Sequence, residues 1–159
     1  MLGGNIGNRV DYLCRSVDLL RRETGKVLGM SAIYESEPWG FEHSDWFLNR
    51  AVVLKTNLSP HELLKSIQRI EQAMGRIRLG NTYQARTMDI DILFYGDLVI
   101  ETPELSIPHP RIAGRMFVLK PMAELAPDLM HPVLHRTMRD LAEHCPDKSK
   151  VRKYPGDVD

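Results

Sequence analysis

The segment Arg86-Thr87-Met88-Asp89-Ile90-Asp91-Ile92-Leu93-Phe94 concentrates the chemistry of this chain. In a strand, side chains alternate between faces, so Met88, Ile90, Ile92 and Phe94 share an apolar face while Asp89 and Asp91 share the other. Two carboxylates so placed stand about 7 Å apart. At an effective dielectric near 20 they repel by roughly 2 kcal/mol. A hard divalent cation shared with phosphate oxygens would offset that repulsion. Arginines on a solvated strand face would offset it as well, and the pattern alone leaves both readings open. Just upstream stand Arg76, Arg78 and Arg86, with no acidic residue between the first and the last. Guanidinium groups beside a divalent site suit a polyphosphate, although the arginines by themselves read more readily as a basic surface loop. Glu71 falls inside the apolar arc of a helix, between Leu64 and Ile67 on the wheel, and Gln68 falls at its edge. A core-facing Glu needs a partner, either an arginine of the site or a structural ion pair. Phe47 and Asn49 share one strand face, where a ring and an amide could hold a flat heterocycle or serve core and backbone.

Other patterns are set aside. No phosphate-binding P-loop is present, and Gly3-Gly4-Asn5-Ile6-Gly7 does not match the dinucleotide fingerprint. His131 and His135 have metal-like spacing, but Pro132 argues against a helical zinc face. His109 is held between Pro108 and Pro110, as a site or turn residue. Cys14 and Cys145 form neither a disulfide framework nor a metal motif. Charge balance, 21 basic against 21 acidic residues in 159, excludes a polybasic nucleic-acid coat or anionic-membrane binder. Arg outnumbers Lys two to one, a hint of forked phosphate or carboxylate contacts. Apolar runs such as 51–54 are too short to span a bilayer, and the N-terminus lacks signal-peptide character. A soluble cytoplasmic protein is the expected class.

The elements that must position these residues follow in short alternation. Asn8 reads as an N-cap with Asp11 at N3, followed by the stripe Val10, Leu13, Cys14 and Val17 and ended by Gly25. Strands are expected over 27–34 and 47–55, flanking a long polar and aromatic loop over 35–45. Ser59-Pro60-His61-Glu62 is a capping-box helix start; Leu63, Leu64, Ile67, Ile70 and Met74 form its face and Gly75 its stop. A strand over 87–95 turns at Gly96-Asp97 and returns through 98–100. Helices are expected near 115–125 and 136–144, before a polar, frayed tail over 146–159. The sum is a single α+β domain spanning 1–159, with helices on one face of a mostly antiparallel sheet. Only Met1 and Leu2 precede the glycines, so the first strand is expected to be truncated, by an internal or misassigned start or by loss of upstream residues.

Read in order, these motifs resemble the 6-hydroxymethyl-7,8-dihydropterin pyrophosphokinase family. The likeness runs through Gly4-Asn5, Pro38-Trp39-Gly40, Phe47-Leu48-Asn49, Gln68 with Glu71, and Gly75-Arg76-Ile77-Arg78. It continues through Arg86-Thr87-Met88-Asp89-Ile90-Asp91-Ile92-Leu93, Pro108-His109, Arg115-Met116-Phe117 and Pro121. The resemblance implies a ferredoxin-like fold and transfer of the terminal diphosphate of ATP to a pterin hydroxymethyl group, with AMP leaving. It implies that Asp89 and Asp91 hold two Mg2+ ions and that Arg76 and Arg86 act on the phosphates. Gln68, Glu71, Arg78, Ile92, His109 and Arg115 would bind ATP. Ser36, Pro38, Trp39, Phe47, Asn49 and Phe117 would bind the pterin. Small-molecule partners and a monomer follow, with no nucleic acid and no membrane. Departures are Phe47 where Tyr is common, Tyr83-Gln84-Ala85 for a Trp-Gly-Pro, Pro110 at an often aromatic position, and Glu104 where a basic residue can occur. A non-catalytic nucleotide or RNA module and a magnesium-dependent hydrolase are the competing readings.

Overall fold

The computed structural model describes residues 1–38, 45–75 and 87–156. Nine strands and four α-helices follow one another among them. Strands β1 (Leu2–Gly4), β3 (Tyr34–Ser36), β4 (Phe47–Arg50), β6 (Asp89–Ile90) and β9 (Val151–Lys153) form one antiparallel sheet, ordered β6-β1-β4-β3-β9. Strand β2 (Lys26–Met30) pairs with β5 (Val52–Lys55), and β7 (Ile100–Glu101) with β8 (Ser106–Ile107). Helices α1 (Arg9–Glu23) and α2 (Pro60–Ala73) cover one face of the main sheet. There Leu2, Leu48, Met88 and Ile90 meet Leu13, Val17, Ile67 and Ile70. Helices α3 (Met116–Leu125) and α4 (Met138–Glu143) share a second core with Ala51 and Leu93 on the other face.

Local chemistry accounts for the helix limits. The Asn8 side chain accepts from Asp11 N at 3.2 Å, and Gly25 beyond α1 has φ +144° with the Lys55 carbonyl 2.2 Å from where a Cβ would stand. At α2, Ser59 Oγ accepts from Glu62 N while Glu62 Oε2 accepts from Ser59 N at 2.8 Å, closing the capping box. Thr137 caps α4 through Asp140 N at 3.2 Å.

Several expectations are corrected. Helices lie on both faces of the sheet, because strand residues of opposite parity feed two separate cores. The first strand spans Leu2–Gly4 and sits between β4 and β6. The strands expected over 27–34 and 47–55 are each split: Ala51 N donates to Ser31 Oγ and Arg50 Nε to Ser31 O, where the chain passes from one sheet to the other. Of 87–95 only Asp89–Ile90 is strand; alternation holds through Leu93 and inverts at Phe94, which joins the second core. The returning segment pairs with β8, leaving Leu98 and Val99 exposed. Cys14 is exposed, and the buried face of α1 is Leu13, Ser16, Val17 and Leu20. The polar tail contains β9: Val151 alone among 151–153 is buried, too brief a signal to show periodicity. Among the described residues, no helix is long and apolar enough to cross a membrane.

Candidate active site

The α3 side of the main sheet carries most of the described candidates. Cross-strand register places Asp89, Gly3, Asn49 and Tyr34 in one row over β6, β1, β4 and β3. Asp91 lies on the same face two residues on, and its N–H donates to Met1 O at 2.9 Å. Gly3 is the gap in this row. A Cβ there would stand 2.8 Å from Asn49 Oδ1, so the buried amide occupies space that only glycine leaves open. Asn49 Nδ2 donates to Ser36 Oγ at 2.7 Å, which fixes the amide's orientation. Phe47 pairs with Ser36 in the next row of this face. Beyond it, Tyr34 Oη donates to Glu124 of α3, and burial followed by that carboxylate pushes the Tyr34 phenol far up.

Segment 107–117 brings the next group. The Ile107–Pro108 bond is cis, and His109 N donates to Leu93 O at 2.9 Å, which sets His109 beside the carboxylate strand. Burial holds the His109 imidazole below its usual range; Asp91 and Asp89 oppose that shift, and Arg115 reinforces it. His109 Nδ1 accepts from Arg111 N at 3.2 Å, so the neutral ring keeps its proton on Nε2 and presents a donor. Arg115 is buried, 6% exposed, with its guanidinium 5.6 Å from the Phe117 ring centre.

Other candidates lie elsewhere. Gln68 and Glu71 ride on α2, across the sheet from the Asp89 row, with Glu71 buried at 3% exposure. Ile92 packs its side chain into the α1–α2 core, and Pro38 is half-buried beyond β3. Arg76, Arg78, Arg86 and Trp39 lie outside the described residues, as do 83–85. His131 and His135 occupy a turn, with His131 edge-on to Phe94. The one compact set of possible metal ligands among the described residues, Asp140, Glu143 and His144, is an exposed cluster joined to Arg136. Sequence reasoning passed over Gly3 and Asp147. A glycine inside a strand is a sign of close approach, whereas nothing local to Asp147 shows what it caps.

The carboxylates fit divalent cations: two acceptors on one face, half-buried, beside an imidazole that burial keeps from competing as a cation. Together they define a mixed α+β domain whose α3-side sheet face carries paired carboxylates, an amide and Phe47, with Phe117 at the start of α3. The chain belongs to the 7,8-dihydro-6-hydroxymethylpterin-pyrophosphokinase family, whose model matches residues 1–127. The 2-amino-4-hydroxy-6-hydroxymethyldihydropteridine pyrophosphokinase of Bacillus subtilis is 46% identical over 125 residues, covering 78% of this chain and 74% of that protein. The folic acid synthesis protein fol1 of Pneumocystis carinii is 39% identical over 132 residues, 83% of this chain but 18% of that one. The fold matches the wild-type HPPK-DHPS of Plasmodium falciparum with TM-score 0.73 at 20% identity, over 89% of this chain and 43% of that chain. This chain therefore spans less than half of those longer relatives.

Proposed function

We propose that this chain transfers the terminal diphosphate of ATP to the hydroxymethyl oxygen of 6-hydroxymethyl-7,8-dihydropterin, releasing AMP, as a step of folate biosynthesis. The observation that carries this reading is the shared sheet face of Asp89, Asp91, Asn49 and Phe47 in a chain of this family. The order β6-β1-β4-β3, with α1 and α2 as crossovers, supports a ferredoxin-like reading with β9 added at its edge.

In the reaction a bond forms between the pterin oxygen and the β-phosphorus, and the bond from that phosphorus to the α-phosphate oxygen breaks. Bound Mg2+, two ions held by Asp89 and Asp91, would neutralise phosphate charge and acidify the pterin hydroxyl. His109 Nε2–H and Arg115 donate toward the nucleotide phosphates. Arg76 and Arg86 act on the transferred group, with Arg78, Gln68, Glu71 and the Ile92 backbone completing the nucleotide site. Phe47 and Phe117 flank the pterin ring, Asn49 and Ser36 meet its polar edge, and Pro38 and Trp39 contribute to pterin binding. Positioning and charge neutralisation then supply the rate, with no covalent protein nucleophile.

The test incubates the chain with ATP, Mg2+ and the reduced pterin alcohol and follows AMP and pterin diphosphate together. Equal formation of both is expected. Asp89→Asn and Asp91→Asn should each lower turnover by about 1,000-fold or more and weaken Mg2+-dependent ATP binding, with circular dichroism unchanged. Nucleotide binding without turnover, or phosphate release without a pterin product, would defeat the reading.

A further inference from the structure

The family match ends at residue 127, yet residues 147–153 touch both walls of the site. Helix α3 begins at Arg115, whose side chain makes no capping hydrogen bond and, being donor-only, can accept none. The acceptor comes from Asp147: its Oδ2 accepts from Met116 N at 2.9 Å, and its Oδ1 accepts from Ser149 N at 2.9 Å and Ser149 Oγ at 2.6 Å. A carboxylate at this helix start also suits the helix dipole. Burial would raise the Asp147 pKa, but these hydrogen bonds hold it below the usual range, so the group is ionised at neutral pH. Asp147 thus fixes the first turn of α3, which bears Arg115 and Phe117.

The same segment then reaches the opposite wall. Val151 pairs with Ser36, while Lys150 N donates to Glu37 Oε2 at 2.8 Å and Glu37 N to Lys150 O at 3.2 Å. Behind that wall, on the α1 face of the sheet, Arg152 pairs with Glu35 Oε2 at 3.0 Å and lies 5.0 Å from the Trp46 ring centre, so it acts on Phe47 only through the backbone of β3 and β4. Arg9 Nη1 secures the Trp46 carbonyl at 2.6 Å. Lys120 Nζ of α3 donates to Val151 O at 2.7 Å, which ties the two walls together through the segment itself.

We propose that residues 147–152 form a strap that sets the width of the pterin site, with Asp147 and Arg152 as positioning residues. This rests on the pterin reading above. The test uses the full chain with Asp147→Ala, Asp147→Asn, Arg152→Ala and, as a stability control, Thr137→Ala, which removes the α4 cap. Readouts are KM for each substrate, kcat, melting temperature, and equilibrium affinity for the pterin beside a non-cleavable ATP analogue. Asp147→Ala and Arg152→Ala should each raise the pterin KM and dissociation constant by about 10-fold, with the ATP KM within about twofold. Asp147→Asn, which keeps an acceptor for Met116 N, should recover part of that loss. Thr137→Ala should lower the melting temperature without moving the pterin KM. If Asp147→Ala does not fold, Asp147→Asn and Arg152→Ala decide. Unchanged pterin affinity in the folded strap variants would overturn the proposal. The affinity measurement needs no turnover, so a chain that binds pterin but forms no AMP defeats the functional reading while the strap is still judged by affinity.

Discussion

Replacing Gly3 by Ala tests the geometry of the carboxylate–amide row at its tightest point. The new methyl would meet Asn49 Oδ1 at 2.8 Å, about 0.6 Å inside ordinary contact. Asn49 is 3% exposed and donates to Ser36 Oγ at 2.7 Å, so its amide relieves the clash by giving up that bond. Loss of a buried hydrogen bond is worth about 1–3 kcal/mol. Alanine returns about 0.4–1 kcal/mol by restricting the unfolded chain, so the net destabilisation is at most about 2.6 kcal/mol. That corresponds to a fall of up to about 10 °C in melting temperature for a domain of this size. On the proposed function the displaced amide would also stop meeting the pterin edge, and the pterin KM should rise about 10-fold, by the same energy scale. The assay is a double-mutant cycle with Asn49→Ala, read by melting temperature and pterin KM. In the Asn49→Ala background the clashing atom is gone, so Gly3→Ala should then have little effect on either. Equal penalties in both backgrounds, or a Gly3→Ala pterin KM within twofold of the parent, would refute the reasoning.

The remaining predictions concern stability. His131 Nδ1 accepts from Val133 N at 3.2 Å and Leu134 N at 3.1 Å, and burial, aided by His135, holds its pKa below the usual 6.5. The unfolded chain therefore takes up a proton that the folded chain refuses: the contribution is full above the unfolded value and is lost as pH falls toward the folded one. His131→Asn, whose amide oxygen can accept both N–H groups without titrating, should flatten the decline of stability as pH falls below about 7; an unchanged slope in denaturant titrations would count against it. Ser59→Ala opens the capping box of α2 and should cost about 1 kcal/mol, or about 2–4 °C by calorimetry. The Asp89 and Asp91 variants and the strap variants complete the set.

The motifs of local origin were legible in the sequence because their physics lies within a few residues. Asn8 and Ser59 cap their helices through donors three positions away, and Gly25 and Gly75 take the positive φ that ends a helix. Likewise the i, i+2 spacing put Asp89 and Asp91 on one face, and the ordered motifs pointed to the family. The tertiary structure decided what depends on partners far along the chain. Register between β1, β4 and β6 made Gly3 the seat of Asn49 Oδ1, and two cores instead of one placed α3 opposite α1. Cross-strand pairing turned a polar tail into β9, and a helix whose own N-cap is an arginine took its cap from Asp147. A backbone donor can be satisfied by any acceptor the fold delivers, and a strand face is assigned only when its neighbours are in place. The sequence determined which groups are present and how neighbours share a face; the fold determined which of them meet.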